Sequence, residues 1–144
     1  MRVVKLCDIP LVMAILQSHY GKDLMEGMEA YLSSAVRVHN YLISSDNSIL
    51  IMVERIGNFK AQFHFYALPE KSFKSKIEFA RQCIIYLFSS TNYTSLLTFI
   101  PEGNKGMEKA VTFMGLKLIG SVPSAGGIDS AEKIYSLSKK KEEN

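Results

Sequence analysis

The segment Ser95–Gly120, SLLTFIPEGNKGMEKAVTFMGLKLIG, constrains the fold more than any other stretch of the chain. Its apolar run from Leu96 to Ile100 reads as a buried strand. Pro101, Gly103 and Asn104 supply the chemistry of a tight turn, because Pro fixes φ, Gly accepts positive φ and Asn bonds its own backbone. A short helix follows from near Lys105, and Gly115-Leu116 leads into another strand. A chain that switches period twice within one such stretch layers helices against a sheet.

The flanking sequence extends this pattern in both directions. Arg2 to Leu6 reads as a strand, and Asp8 as the N-cap of a helix carrying Pro10 in its first turn and Ile9, Val12, Met13 and Leu16 as its stripe. A second helix is expected over Asp23–Ser34, weakened at Gly27 by about 1 kcal/mol relative to Ala. Strands are expected at Val36–Ser44, Ile49–Ile56 and Phe59–Leu68, separated by Ser45-Asp46-Asn47-Ser48 and Gly57-Asn58. In the last of these, Phe59, Ala61, Phe63, Phe65 and Ala67 alternate with Lys60, Gln62, His64 and Tyr66, the period of a half-buried strand. A long helix over Ser72–Ser89 has Phe73, Ile77, Ala80, Ile84 and Leu87 as its stripe, widened by Cys83 and Phe88. Strands at Lys117–Val122 and Lys133–Leu137, joined through Gly126-Gly127, close the order β-α-α-β-β-β-α-β-α-β-β.

Composition narrows the function. The 144 residues suit one domain, and 47% apolar with 22% charged residues describes a soluble globular chain. A net charge of +3, part of it in the Lys139-Lys140-Lys141 tail, lacks the density of a nucleic-acid-binding face. No apolar run is long enough for a bilayer, and Asp8 and Pro10 interrupt any signal-peptide layout, so no membrane is expected. Cys7 and Cys83 have neither metal nor redox spacing and read as small hydrophobes in a reducing compartment. His19, His39 and His64 have no zinc spacing.

Asn104, just after a strand and followed eleven and twelve residues later by Gly115 and Leu116, resembles the Asn…Gly-Phe pattern in the C-terminal half of the GNAT superfamily of N-acetyltransferases. The element order matches too, so the resemblance covers nearly the whole chain. It implies an α+β (mixed α/β) fold with a single central, mostly antiparallel sheet. That sheet would splay between strands 4 and 5 and be flanked by about four helices. Residues 1–138 would form one GNAT-like domain, with 139–144 a charged, flexible tail.

The resemblance also implies acetyl-CoA as cofactor. Backbone groups of Phe65, Tyr66, Ala67 and Leu68 on strand 4 would bond the pantetheine arm. The following loop would hold the pyrophosphate on backbone N–H groups at a helix N-terminus. In the family that loop is glycine-rich, whereas here it is Pro69-Glu70-Lys71-Ser72-Phe73-Lys74-Ser75-Lys76 without glycine. Lys71, Lys74 and Lys76 offer charge and Ser72 or Ser75 a cap, or the lysines simply solvate a helix start. Where many members place a proton-donating Tyr, seven residues after the Asn, this chain has Val111. Glu54, His64, Glu70 and Glu102 are the candidates for a general base, Glu54 because apolar neighbours would raise its pKa. Asn104 serves equally as a helix cap or a cofactor contact.

Two functions follow. One is acyl-CoA-dependent transfer of an acetyl group to a small-molecule or protein amine. The other is a non-catalytic GNAT-fold module. FHFYALPE and TFIPEGN also resemble small tailed-phage proteins of this fold, among them head-assembly proteins, whose partner would be a phage structural protein. A homodimer fits either. The expected location is the bacterial or phage-infected host cytoplasm, or the virion.

Overall fold

The computed structural model describes residues 1–123 and 131–140. In chain order it contains β1 (Arg2–Val3), α1 (Ile9–Tyr20), α2 (Met28–Val38), β2 (Asn40–Ile43), β3 (Ile49–Arg55) and β4 (Lys60–Ala67). These are followed by α3 (Phe73–Ser90), β5 (Ser95–Pro101), α4 (Lys105–Phe113), β6 (Lys117–Pro123) and β7 (Ala131–Ser138). The expected Gly126-Gly127 loop and the end of the tail, from Lys141, lie outside the described residues. Seven strands form one sheet in the order β1-β2-β3-β4-β5-β7-β6. Pairing is antiparallel for β1–β2, β2–β3, β5–β7 and β6–β7, and parallel for β4–β5. The fold class is therefore the α+β architecture expected from the sequence.

Residues Met1–Glu54 and Phe63–Ile85 form one compact unit, and Arg55–Gln62 with the chain from Tyr86 onward form another. In the first unit, Val12, Ile15 and Leu16 of α1 and Leu32 of α2 close over Tyr41 of β2 and Leu50 of β3. Val12, Ile15 and Leu32 are completely buried. Each such side chain contributes about 1.5–3 kcal/mol through the apolar surface it removes from water.

Several local readings are corrected. β1 ends at Val3, and Leu6–Asp8 is a 3-10 turn. Asp8 precedes α1 without capping it: its carboxylate accepts the Lys5 backbone N–H at 2.9 Å and pairs with Arg2. α2 starts at Met28, because Gly27 sits at φ +82°, a backbone conformation open to glycine. It also runs through Val36 to Val38, so packing of Val36 on the core overrides the strand propensity of these β-branched residues. On α3, Phe73 is 45% exposed while Phe79, Cys83 and Leu87 are buried, so the stripe is centred further round than expected. Cys7 is exposed, and only Cys83 behaves as a buried hydrophobe, its thiol pushed up to about 12 by burial.

In the second unit, Lys60–Gln62 of β4 pair in parallel with Ser95–Leu97 of β5, which then registers against β7 from Ser95↔Ser138 to Pro101↔Glu132. After α4, Gly115 takes φ +94° and delivers Leu116 into the core at 3% exposure. β6 is exposed at every residue and is paired, among the described residues, with β7 alone. Its register with β7 jumps between Leu118 and Gly120, leaving Ile119 as an extra, bulged residue.

Candidate functional site

Alternation along a strand puts Met52 and Glu54 on one face of β3, and His64 and Tyr66 on one face of β4. Met52 belongs to the α1/α2 core and Tyr66 packs against it, so Glu54 extends that same face toward its rim. There the Tyr31 hydroxyl of α2 donates to Glu54 Oε1 at 2.7 Å, and the Tyr41 hydroxyl of β2 donates to the same oxygen at 2.8 Å. Burial pushes the Glu54 carboxyl up, but the two hydroxyls, with His39 and His64 close enough to act through their charge, outweigh it and the net shift is down. This overturns the expectation of a raised pKa: Glu54 is an anion held in place, better suited to binding a cation than to taking a proton. Burial raises both tyrosines, with Glu54 adding to the effect, so they stay protonated donors. Along the same face, Tyr66 and Tyr20 share a hydroxyl hydrogen bond of 2.7 Å, and the His19 ring meets both rings edge-on. The sequence reading had singled out Glu54 and His64; Tyr31 and Tyr41 were missed.

The strand and loop expected to hold a cofactor lie in this unit as well. Phe65, Tyr66 and Ala67 end β4 in extended backbone, half-buried. Leu68 has already used both backbone groups, its N–H donating to the Ser48 carbonyl at 2.9 Å and its carbonyl accepting from Lys71 N–H at 3.1 Å. Lys71 Nζ pairs with Asp46 Oδ2 at 2.7 Å. The other oxygen of Asp46 accepts from the hydroxyls of Ser44 and Ser48. Lys71 first, then these hydroxyls, hold the Asp46 carboxyl well below the usual carboxylate range. Ser72 caps α3: its Oγ accepts the Ser75 N–H at 3.1 Å and donates to Ser75 Oγ at 3.0 Å, and its carbonyl accepts the Lys76 N–H. Lys74 is exposed on the first turn. Part of what a pyrophosphate would use in this loop is engaged by the chain itself. An anion of the protein already occupies Lys71, and Ser72 and Ser75 are bonded within their own helix start.

In the second unit, Asn104 is the N-cap of α4, its Oδ1 accepting the Met107 N–H at 3.3 Å. Gly103 at φ +95° makes the turn that aims it. Asn104→Ala should lose about 1 kcal/mol of stability, the usual cost of removing a cap, measurable by urea denaturation. Glu102 lies on a separate cleft of about 410 Å³ that it shares with Lys133, Ser121 and the exposed Leu118 and Ile119. Lys133 is engaged by Glu108 at 2.7 Å. Val111 is the fully buried residue of α4, and its side chain offers no proton.

No protein-family model matches the chain, and no curated protein matches it. Solved structures do. A spermidine N-acetyltransferase chimera built from Vibrio cholerae and human sequences superposes with TM-score 0.80 at 12% identity, over 95% of this chain and 93% of that one. A ribosomal-protein-alanine N-acetyltransferase from Brucella melitensis gives 0.77 at 12% identity, over 96% and 98%. An N-acetyltransferase from Staphylococcus aureus Mu50 gives 0.76 at 14%, over 95% and 96%. The chain has the GNAT fold. Asn104 follows β5 and caps α4, as its local chemistry led one to expect. In the loop at Leu68–Lys76, Lys71 is paired with Asp46 and Ser72 caps α3. Among the described residues, no group of three or more His, Cys, Asp or Glu is placed to hold a metal ion.

Proposed function

We propose that the chain is an acetyltransferase-like protein that moves an acyl group from a thioester to an amine. The observation that carries it is Glu54, an ionised carboxylate pinned by Tyr31 and Tyr41 with His39 and His64 in electrostatic reach. Such a carboxylate suits an alkylammonium ion, which it can hold by a charge-assisted hydrogen bond. His64 then takes the proton that the amine must lose before it attacks. The amine nitrogen bonds to the thioester carbonyl carbon, the C–S bond breaks, and the sulfur leaves as a thiol after gaining a proton. Solved structures sharing the fold include N-acetyltransferases whose names give spermidine and ribosomal-protein alanine as acceptors, both amines.

The test is thiol release from acetyl thioesters in the presence of a panel of mono-, di- and polyamines and amino-terminal peptides. Glu54→Gln keeps an acceptor for both tyrosine hydroxyls but loses the charge. It should raise the KM for the amine by about tenfold or more, with Tm nearly unchanged, the signature of lost ground-state binding. Amine-independent thiol release, or an unchanged KM, would remove Glu54 from the site.

Buried Val111 and the occupied Leu68–Lys76 loop favour a second reading, a non-catalytic GNAT-fold module seated on a phage structural protein. Absence of turnover with every amine, together with stoichiometric binding to such a protein, would select it. Either role would place the chain in the bacterial or phage-infected cytoplasm, or in the virion.

A further inference from the structure

Among the features outside the Glu54 cluster, the linkage between the β2–β3 turn and the start of α3 carries most. Asp46 gathers three side chains: Ser44 and Ser48 donate to Oδ1, and Lys71 reaches Oδ2 at 2.7 Å. The Ser48 backbone N–H also lies 3.2 Å from Oδ1. Ser44 and Ser48 are themselves buried, so the turn that carries Asp46 is anchored. One residue past Lys71, Ser72 satisfies the Ser75 N–H with its own hydroxyl. Lys71 and one of the helix-start donors, the Ser75 N–H, are thus taken by groups of the chain itself, and the Asp46 carboxylate on Lys71 is an anion that repels phosphate. The extended backbone of β4 up to Ala67, by contrast, ends before this linkage begins.

We infer that Asp46 is a specificity-determining residue that excludes the nucleotide half of coenzyme A, so that the thioester donor of this chain is an acyl-pantetheine gripped no further than its pantetheine arm. The inference rests on the acyl-transfer reading of the site. It follows that the 3′-phospho-ADP group adds nothing to recognition, whether the pantetheine is free or carried on a larger molecule.

The test compares S-acetylpantetheine with acetyl-CoA as donors to one amine that supports turnover. The expected kcat/KM values agree within about tenfold, because an interaction that is not made gives no advantage to the larger donor. Asp46→Asn keeps the serine bonds but frees Lys71, and should shift the ratio toward acetyl-CoA by about tenfold or more. Lys71→Ala should change both donors alike. A preference for acetyl-CoA of about a hundredfold or more in the unaltered chain, or a loss in Lys71→Ala confined to acetyl-CoA, overturns the inference and leaves acyl transfer standing. Turnover of neither donor with any amine overturns both. Circular dichroism and Tm of each variant separate an unfolded protein from a changed preference, and the unaltered chain gives the donor ratio without any variant.

Discussion

Replacing His64 by alanine is expected to lower kcat for acyl transfer by about 10²–10⁴-fold, the range over which a positioned acid–base group acts. The side chain is half-buried on β4, beside Glu54 and on the strand that carries the expected pantetheine contacts. KM for the amine should move little, because the proposed reading gives the ammonium to Glu54. That split opposes the one expected for Glu54→Gln, so the two variants assign binding and proton transfer to different residues. Added imidazole should restore part of the rate in His64→Ala if the lost group is a proton acceptor. A kcat within about twofold of the parent would move that role elsewhere.

The largest effect on stability is expected at Tyr41. Tyr41→Ala removes a completely buried ring and should cost about 3–5 kcal/mol in urea unfolding, as large-to-small changes of aromatic residues do. Tyr41→Phe keeps the ring and removes only the hydroxyl bonded to Glu54, and should cost about 1–3 kcal/mol. The difference between the two separates packing from the hydrogen bond. The pH dependence provides a second check. The folded state lowers the Glu54 carboxyl below its ordinary value, so this contribution to stability is present above the unfolded value and is lost as pH falls through the folded one. Removing one of the two donors narrows that shift. Tyr41→Phe should therefore lose less stability on acidification than the parent does. An equal acid loss in both would mean that Tyr31 and the histidines alone hold the carboxylate.

These residues show where sequence reasoning reaches and where it stops. Asn104 was legible because turn, cap and helix lie within four residues, and the cap appears where that local chemistry placed it. β3 and β4 were legible within a residue or two from composition and alternation, which packing reinforced. The start of α2 was not, because the cue at Gly27 reads as a weak helical residue until its positive φ is seen. The partners of Glu54 were out of reach for a different reason. Tyr41 is thirteen residues away and Tyr31 twenty-three, on separate elements, and nothing local marks either as a donor. Asp46 was misjudged in the same way. Turn chemistry explained it completely, and its ion pair closes over twenty-five residues. Local rules recover elements and caps, while charges are assigned to one another only by the topology that folds distant strands together.

The bulge at Ile119 has a bearing on how the chain behaves in a crowded solution. A straight exposed edge over Leu118–Val122 would template a second edge strand, then a third, and so seed fibres. One extra residue throws the outward N–H and C=O groups of β6 out of step, so an approaching strand finds its partners on only one side of the irregularity. The same irregularity thus works against runaway polymerisation, and lets a strand exposed along its whole length sit at a border without becoming a growth point.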